Sequence, residues 1–425
     1  MTQPSEPAVR PRTARPRRRR GGRRLLFATV LLGLIGTGQE ILFRWTFPIP
    51  EVVGFNRIRY QLLADQDPRF RPILRRGLVY DRLLVESVPD GYSEIHRLNR
   101  HGFRGPDFAI EPNPARPRVL VIGDSLTEGQ GAPESGTISA YLDRLLRERG
   151  EPAEVLNLGV IAATLHHATL LARDAIGLLR PSTVVLVLYA NDLPAPPYLP
   201  DLDQAPPRYP RSDVPWFLPR ALALVGRVSR DEPIYSRWPR PPVRYFAPSP
   251  DPTNPWSKSQ GPPPNVDPDL YRSMKAGELN PWLVQQAEAI PGMLAHDFTR
   301  GGTPYLHLRR VADLCRAAGA RLIVAYVPFC GVIHPRYGAA QTKLGMDPTT
   351  AEGLASDPRY RSQSAHLAAI RPTLDLPLAD ATEALTRAEA SGKPQYWEFD
   401  THPRPDGYAT IARRIVEVWP TDQPK

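Results

Sequence analysis

The chain has 425 residues, including 54 Lys or Arg and 44 Asp or Glu, and its formal net charge is +10. Residues 1–24 contain nine arginines and one acid and carry +8 alone, so the rest of the chain is nearly neutral. This asymmetry excludes a folded domain with a strongly basic nucleic-acid-binding face. Only the basic arm could contact RNA or DNA, and we expect no nucleic-acid partner.

An apolar stretch follows the basic arm. Residues 25–38 read "LLFATVLLGLIGTG" and carry no charge, and the segment 25–47 reaches the length of about 20 residues that a membrane-spanning helix needs. Arginines on the amino side favour insertion with that end in the cytoplasm. We predict a single-pass signal anchor at 25–47, with the remainder extracytoplasmic. A cleaved signal peptide and a buried helix of a soluble domain are the alternatives.

The next two regions differ in pattern. Residues 48–115 mix short apolar pieces such as "GLVYDRLLVESV" with turns, which predicts a small accessory region with a few strands. Residues 116–192 alternate apolar strands, "RVLVIG", "AEVLNLG" and "STVVLVLYAND", with amphipathic helices. Continuous apolar strands separated by helices predict a parallel sheet that is covered on both faces.

The alternation stops at residue 193. Residues 193–303 are dense in proline, as in "PRPPVRYFAPSPDPTNP", and are too long for a plain loop, so we expect an insertion that forms a lid or a partly disordered flap. Residues 304–420 resume the pattern with the strand "RLIVAYVPF", several helices and a last amphipathic helix. The sequence therefore predicts an α/β domain, 116–192 and 304–420, interrupted by the insertion.

Polar residues follow three of the predicted strands. Ser125 comes after the first, Gly159 ends the second and Asn191 follows the third, while His402 and Asp400 precede the last helix. Ligands of an open parallel sheet bind beyond the carboxyl ends of its strands, so these residues can converge. For acyl transfer, Ser125 supplies a hydroxyl, His402 a base and Asp400 a group that orients it.

Donors for an oxyanion are also available. The amides of Ser125 and Gly159 and the side chain of Asn191 can supply N–H groups to it. Each residue also has a plain structural explanation, since Ser125 could cap a helix and Asn191 could end a strand in an ordinary turn. Four residues in the right order at successive strand ends favour the chemical interpretation.

These four blocks resemble the SGNH (GDSL) hydrolase superfamily, in particular bacterial members with an amino-terminal membrane segment. "GDSLTEG" matches the serine block, "NLGV" the glycine block, "YAND" the asparagine block and "DTHP" the histidine block. The resemblance covers roughly residues 95–420. It implies a three-layer α/β/α sandwich of the flavodoxin-like SGNH type and hydrolysis of carboxylic esters through an acyl-serine intermediate.

Two positions depart from the family pattern. Tyr189 stands where many members have glycine two residues before the asparagine, and Phe399 stands where many have the catalytic aspartate. Asp400 is the nearest carboxylate to His402 and Glu398 is a poorer one. A dyad, with a backbone carbonyl orienting His402, is the alternative to a triad.

Other chemistries are not indicated. Adjacent His166 and His167 would point about 100° apart on a helix and cannot share one metal, and the phosphate-binding and dinucleotide fingerprints are missing from the sequence. We expect no cofactor and no metal. The predicted function is a serine esterase, acting for example on acetyl esters of envelope glycans. An O-acyltransferase of envelope polysaccharide and a non-catalytic envelope-binding protein are the alternatives.

Overall fold

The computed structural model describes residues 19–46, 82–99, 101–193, 242–296 and 303–420. They fall into two units, of which the first contains helix α1, Arg19–Thr46, and the second contains all other described elements. Within α1 the 22 residues Gly22–Phe43 have a mean hydropathy of 1.7 and none of this span is buried. The chain therefore has an amino-terminal helix of the length and composition of a membrane anchor or a signal sequence.

A five-stranded parallel sheet organises the second unit. Its strands lie in the order β4, β3, β5, β7, β8, and all of its strand pairs are parallel. The strands are β3 Arg118–Gly123, β4 Glu154–Gly159, β5 Thr183–Leu188, β7 Arg321–Tyr326 and β8 Leu378–Asp380. Because Gly123 pairs with Gly159, β3 and β4 end level with each other at the same edge of the sheet.

The described helices of this unit range from single turns to four turns. In chain order they are α2 Ser125–Glu128, α3 Ile138–Glu148, α4 Leu165–Leu179, α5 Pro268–Lys275, α6 Leu283–Leu294, α7 Thr303–Ala317, α8 Cys330–Ile333, α9 Pro335–Thr342, α10 Pro348–Gly353, α11 Ser362–Leu374, α12 Thr382–Ala390 and α13 Pro405–Glu417. The short helices α8 to α10 were not indicated by the sequence pattern.

Hydrophobic cores lie on both faces of the sheet. Val119 and Val121 of β3 belong to the core under α3 and α13, whereas Leu120 and Ile122 belong to the core under α4 and α7. Alternate residues of one strand thus fill opposite cores, which explains why the strand is apolar at every position. The predicted three-layer α/β/α architecture with a parallel central sheet is confirmed.

A small second sheet forms the accessory region. Strands β1, Arg82–Ser87, and β2, Tyr92–Arg97, pair as an antiparallel hairpin, and β6, Val243–Arg244, adds to β1 in parallel. The strand predicted within "GLVYDRLLVESV" is β1. Residues 48–81 and residue 100 of the predicted region 48–115 lie outside the described residues.

Residues 242–296 of the predicted insertion contribute to the hydrophobic core of the domain. Trp256, Met274 and Leu283 are buried in the same core as Val119 and Val121. Asn254 fastens the segment internally, because its Nδ2 donates to the carbonyl oxygens of Ala247 and Met274 at 2.9 and 3.0 Å. This half of the proline-rich region is therefore part of the folded domain, while residues 194–241 and 297–302 lie outside the described residues.

Replacing Met274 tests whether this segment is core. Met274 is 0% exposed, so Met274→Ala should lower the free energy of unfolding by about 2–5 kcal/mol through lost burial and a cavity. Urea denaturation of the full-length chain measures the change. Arg272→Ala, on the exposed face of α5, is the control and should change it by less than about 0.5 kcal/mol. Equal, small effects of the two variants would show that the segment contributes no core packing.

Candidate active site

The first strand end places Ser125 on a tight turn. Strand β3 ends at Gly123, and Ser125 begins the one-turn helix α2. Asp124 caps that helix, because its Oδ1 accepts a hydrogen bond from the Leu126 amide at 2.9 Å. The structural capping role considered for Ser125 therefore belongs to its neighbour. The Ser125 hydroxyl makes only a long contact of 3.5 Å to Asp124 Oδ2 and has a closer one elsewhere.

That contact is with His402. The distance from Ser125 Oγ to His402 Nε2 is 2.8 Å, and on the other side of the ring Nδ1 makes a short hydrogen bond to Asp400 Oδ1. Asp400 is completely buried, whereas the His402 side chain keeps 12% of its surface exposed. Ser125 thus forms one continuous chain of hydrogen bonds with His402 and Asp400, which lie far from it in sequence.

An unusual backbone conformation lets Asp400 and His402 meet. Thr401, between them, has φ of +67°, in the left-handed region that residues other than glycine rarely occupy. This bend directs both flanking side chains to the same place, so a carboxylate two residues before the histidine can reach its ring. Phe399 and Glu398 make no side-chain hydrogen bond to His402 among the described residues.

The charges around the ring affect its titration. Burial lowers the pKa of His402, but the negative charge of Asp400 and the hydrogen bond between them outweigh this effect, so the pKa is raised above 6.5. Burial raises the pKa of Asp124 to about 6, against the lowering effects of the Leu126 amide and the His402 charge. The negative charge of Asp400 thus stabilises the protonated form of the His402 ring.

Gly159 allows the close approach of the serine turn. A Cβ at this position would lie 2.0 Å from the backbone nitrogen of Glu128, so only glycine lets α2 pack against the end of β4. The Gly159 amide donates to Asn157 Oδ1 at 2.9 Å. This predicted oxyanion donor therefore has an internal acceptor in the structure.

Asn191 lies beyond the end of β5. Its Oδ1 is buried and makes no hydrogen bond to any residue of the described ranges. The adjacent Asp192 holds the loop, because its Oδ2 accepts from the Tyr189 amide at 2.7 Å. Burial and the nearby charge of Asp124 raise the pKa of Asp192 well above its usual range. Tyr189, the larger residue at the family's glycine position, is itself buried.

A buried network of hydrogen bonds, which the sequence pattern did not indicate, supports the turn that carries Ser125. His96 of β2 contacts Glu128 Oε1 through Nδ1 at 2.8 Å, and Arg104 Nη1 lies 3.2 Å from His96 Nε2. Arg104 also donates to the carbonyl oxygens of Gly129 and Ala132 at 2.6 and 2.7 Å. Arg104, in the sequence "HGFRGP", therefore packs directly against the turn that carries Ser125.

The adjacent histidines have a structural role. The rings of His166 and His167 are 5.7 Å apart and nearly perpendicular, and His167 Nδ1 accepts from the Thr164 amide at the start of α4. Burial lowers the pKa of His167 to about 3.

Among the described residues, no group of three or more His, Cys, Asp or Glu side chains could hold a metal ion. Cys315 and Cys330 are buried and free.

Comparisons with known proteins identify the family of this chain. The model of the GDSL-like lipase/acylhydrolase family matches residues 121–410, and no curated protein matches the chain. The solved structures that are similar to the chain include the following three, each of which covers 71% of it. TesA is 14% identical over 97% of its own chain with a TM-score of 0.33. LAE5, an alpha/beta hydrolase enzyme from the metagenome of Lake Arreo, Spain, is 13% identical over 94% with a TM-score of 0.34.

The third structure is a catalytic mutant of Axe2, an acetylxylan esterase from Geobacillus stearothermophilus, which is 13% identical over 93% of its chain with a TM-score of 0.34. The family model spans more than half of the present chain and includes the "GDSLTEG" turn. The resemblance seen in the four sequence blocks is confirmed, and the chain belongs to the GDSL-like lipase/acylhydrolase family of enzymes that hydrolyse ester bonds.

Proposed function

We propose that the protein is a membrane-anchored serine acylhydrolase in which Ser125 is the nucleophile, His402 the general base and Asp400 the acid that orients it. The observation that carries the proposal is the unbroken hydrogen-bonded chain from Ser125 Oγ through both ring nitrogens of His402 to Asp400. A nucleophile, a base within reach and a group that fixes the base are the parts that acyl transfer requires.

In the acylation step, Ser125 Oγ attacks the ester carbonyl carbon and passes its proton to His402 Nε2. The ring then carries a positive charge, which the buried Asp400 carboxylate stabilises through Nδ1–H. His402 gives the proton to the departing alcohol oxygen as the ester C–O bond breaks. A water molecule, deprotonated by the same Nε2, then attacks the acyl carbon. The bond from this carbon to Ser125 Oγ breaks, the acid leaves, and Nε2 returns the proton to Ser125 Oγ.

The carbonyl oxygen gains negative charge at each attack, and we assign its stabilisation to the Ser125 amide, the Gly159 amide and the Asn191 side-chain NH₂. Gly159 donates to the neutral Asn157 Oδ1 at rest. An oxyanion is a stronger acceptor than an amide oxygen, so it can take over this donor when the tetrahedral intermediate forms.

Helix α1 supports the proposed position relative to the membrane. The basic arm precedes the apolar span Gly22–Phe43, which favours a cytoplasmic amino terminus and an extracytoplasmic catalytic domain. On that side, ester-bearing lipids and acetylated envelope glycans are accessible substrates. Because the Ser125, His402 and Asp400 side chains make a complete hydrogen-bonded set, we favour this over a non-catalytic binding role.

Loss of the nucleophile tests the chemistry. Ser125→Ala should reduce hydrolysis of p-nitrophenyl acetate by the full-length chain in detergent by about 10³-fold or more, because the acyl-enzyme can no longer form. A fluorophosphonate probe should add its mass to the peptide that contains Ser125 of the wild type. The matched control is Ser139→Ala, which removes another buried serine hydroxyl, on α3, and should retain the wild-type rate.

Equal rates for wild type and Ser125→Ala would reject the assignment of Ser125 as the nucleophile.

Product analysis separates hydrolysis from acyl transfer. The amount of acetate released should equal the amount of nitrophenol released when an oligosaccharide is added. Acetyl groups found on the sugar instead would identify an acyltransferase.

The pH profile tests the acid. His402 must be neutral to accept the serine proton, so kcat/KM should fall as pH drops through its raised pKa. Asp400→Asn removes the charge that raises this pKa, so the acidic limb should move to lower pH, and kcat should fall by about 10³–10⁴-fold. Stopped-flow or steady-state rates between pH 4 and 9 measure both effects.

Glu398→Gln is the control for this experiment, because it neutralises the other carboxylate near His402 in sequence. It should leave both the rate and the limb unchanged. A displaced limb in Glu398→Gln with a normal profile in Asp400→Asn would assign the acid to Glu398. Normal profiles in both variants would favour a Ser125–His402 dyad.

Topology is tested with reporter fusions in bacterial cells. Alkaline phosphatase fused after residue 60 should be active, because it folds only outside the cytoplasm, and β-galactosidase at the same point should be inactive. Fusions after residue 20, before the apolar span, should give the opposite pattern. Active β-galactosidase after residue 60 would contradict the proposed orientation.

A further inference from the structure

The turn of the accessory hairpin reaches the loop that carries Asp400 and His402. Asp90 lies in this turn, between β1 and β2, and its carboxylate accepts hydrogen bonds from three consecutive backbone amides. Oδ1 accepts from Glu398 at 2.7 Å and from Phe399 at 3.0 Å, and Oδ2 accepts from Asp400 at 2.9 Å. One side chain therefore binds the backbone immediately before the triad acid.

The Asp90 carboxylate is itself held in place. Ser87 Oγ donates to Asp90 Oδ2 at 2.7 Å. The turn closes through a hydrogen bond of 2.8 Å from the Gly91 amide to the Ser87 carbonyl, with Gly91 at φ of +86°, a conformation that favours glycine. The Val88 amide donates a hydrogen bond of 3.2 Å to the Glu278 carbonyl, which connects the turn to the folded segment 242–296. The carboxylate is thus presented on a fixed support.

Tyr92, two residues further along the hairpin, holds the same loop by packing. It is buried, and its ring centroid lies 5.0 Å from that of Trp397. The Trp397 amide donates to the His402 carbonyl at 2.9 Å, and its indole Nε1 donates to the Gly131 carbonyl at 2.8 Å. The hairpin therefore contacts the loop at residues 397–400, on the amino-terminal side of His402.

We propose that Asp90 is a positioning residue for catalysis, and that the accessory hairpin sets the orientation of Asp400 and, through it, of His402. This inference rests on the proposed function of those two residues. Asp90 does not touch the reacting atoms. It acts through the backbone of residues 398–400, and the position of this backbone determines the position of the Asp400 Cα and Cβ atoms.

The geometry explains why a carboxylate is needed. Consecutive backbone amides that point to one spot form an anion-binding concavity, and a charged acceptor binds such amides more strongly than a neutral one. Left-handed Thr401 follows directly, so its unfavourable backbone must be compensated by contacts on either side. Without the Asp90 bonds, residues 398–401 can relax, and a displacement of about 1 Å at a catalytic group can cost about 10²-fold in rate.

The test compares Asp90→Asn and Asp90→Ala in the full-length chain with p-nitrophenyl acetate. Asn keeps one acceptor oxygen but loses the charge, so kcat should fall by about 10-fold, and Ala should cost about 100-fold, with KM within two-fold of wild type in both. Ser93→Ala, on the exposed face of β2, is the control and should keep the wild-type kcat. Ser87→Ala, which keeps the charge but frees the carboxylate, should give a smaller loss than Asp90→Asn.

A double-mutant cycle separates positioning from general destabilisation. If Asp90 acts through Asp400, Asp90→Asn should cost nothing further in an Asp400→Asn background, measured as the rate of fluorophosphonate labelling. The same loss in both backgrounds, or a wild-type kcat in Asp90→Asn, would overturn the inference while leaving an active wild type and the proposed function intact. A wild type that neither hydrolyses the ester nor reacts with the probe would instead reject the proposed function.

Discussion

The hydrogen bond between Ser125 Oγ and His402 Nε2 joins residues that are 277 positions apart. The contact therefore depends on how the whole domain folds. Ser125 comes from the first strand of the parallel sheet and His402 from the turn before the last helix. Both segments must lie at the same edge of the sheet for the bond to form. The core on one face of the sheet holds them there, since α3, which follows the serine turn, and α13, which follows His402, both pack in it.

Close packing limits which residues can stand at this edge. A Cβ at Gly123 would lie 2.3 Å from Thr127 Oγ1, and one at Gly159 would lie 2.0 Å from the Glu128 nitrogen. The serine turn therefore fits between β3 and β4 only because both strands end in glycine. His96 and Arg104 form hydrogen bonds to Glu128 and Gly129 of this turn, so the turn is held by these side chains as well as by the strand ends.

The accessory region has a larger part in the site than its size suggests. Arg104 and His96 contact the turn that carries Ser125, and Asp90 contacts the loop that carries Asp400 and His402. The hairpin and the segment after it thus touch both halves of the hydrogen-bonded chain. This arrangement links the position of Asp400 to a part of the chain that contributes nothing to the central sheet.

Much of this fold could be predicted from the sequence because its signals are local. The strands of the parallel sheet are continuous apolar runs, and the blocks around Ser125 and His402 stand directly at element ends. Contacts such as Asp90 to Glu398, 308 residues apart, leave no local pattern and needed the structure. Proline content concealed the core role of Trp256 and Met274, because it is typical of loops. Here Met274 is buried from helix α5, and Trp256 is buried from the turns that precede this helix.

The most direct test of the central claim is a crystal structure of the full-length chain after reaction with diethyl p-nitrophenyl phosphate. The phosphoryl group mimics the tetrahedral intermediate of ester hydrolysis. We predict a covalent bond from phosphorus to Ser125 Oγ, with the phosphoryl oxygen about 3 Å from the Ser125 and Gly159 amides and Asn191 Nδ2. An adduct on any other residue, or a phosphoryl oxygen directed away from these donors, would contradict the account.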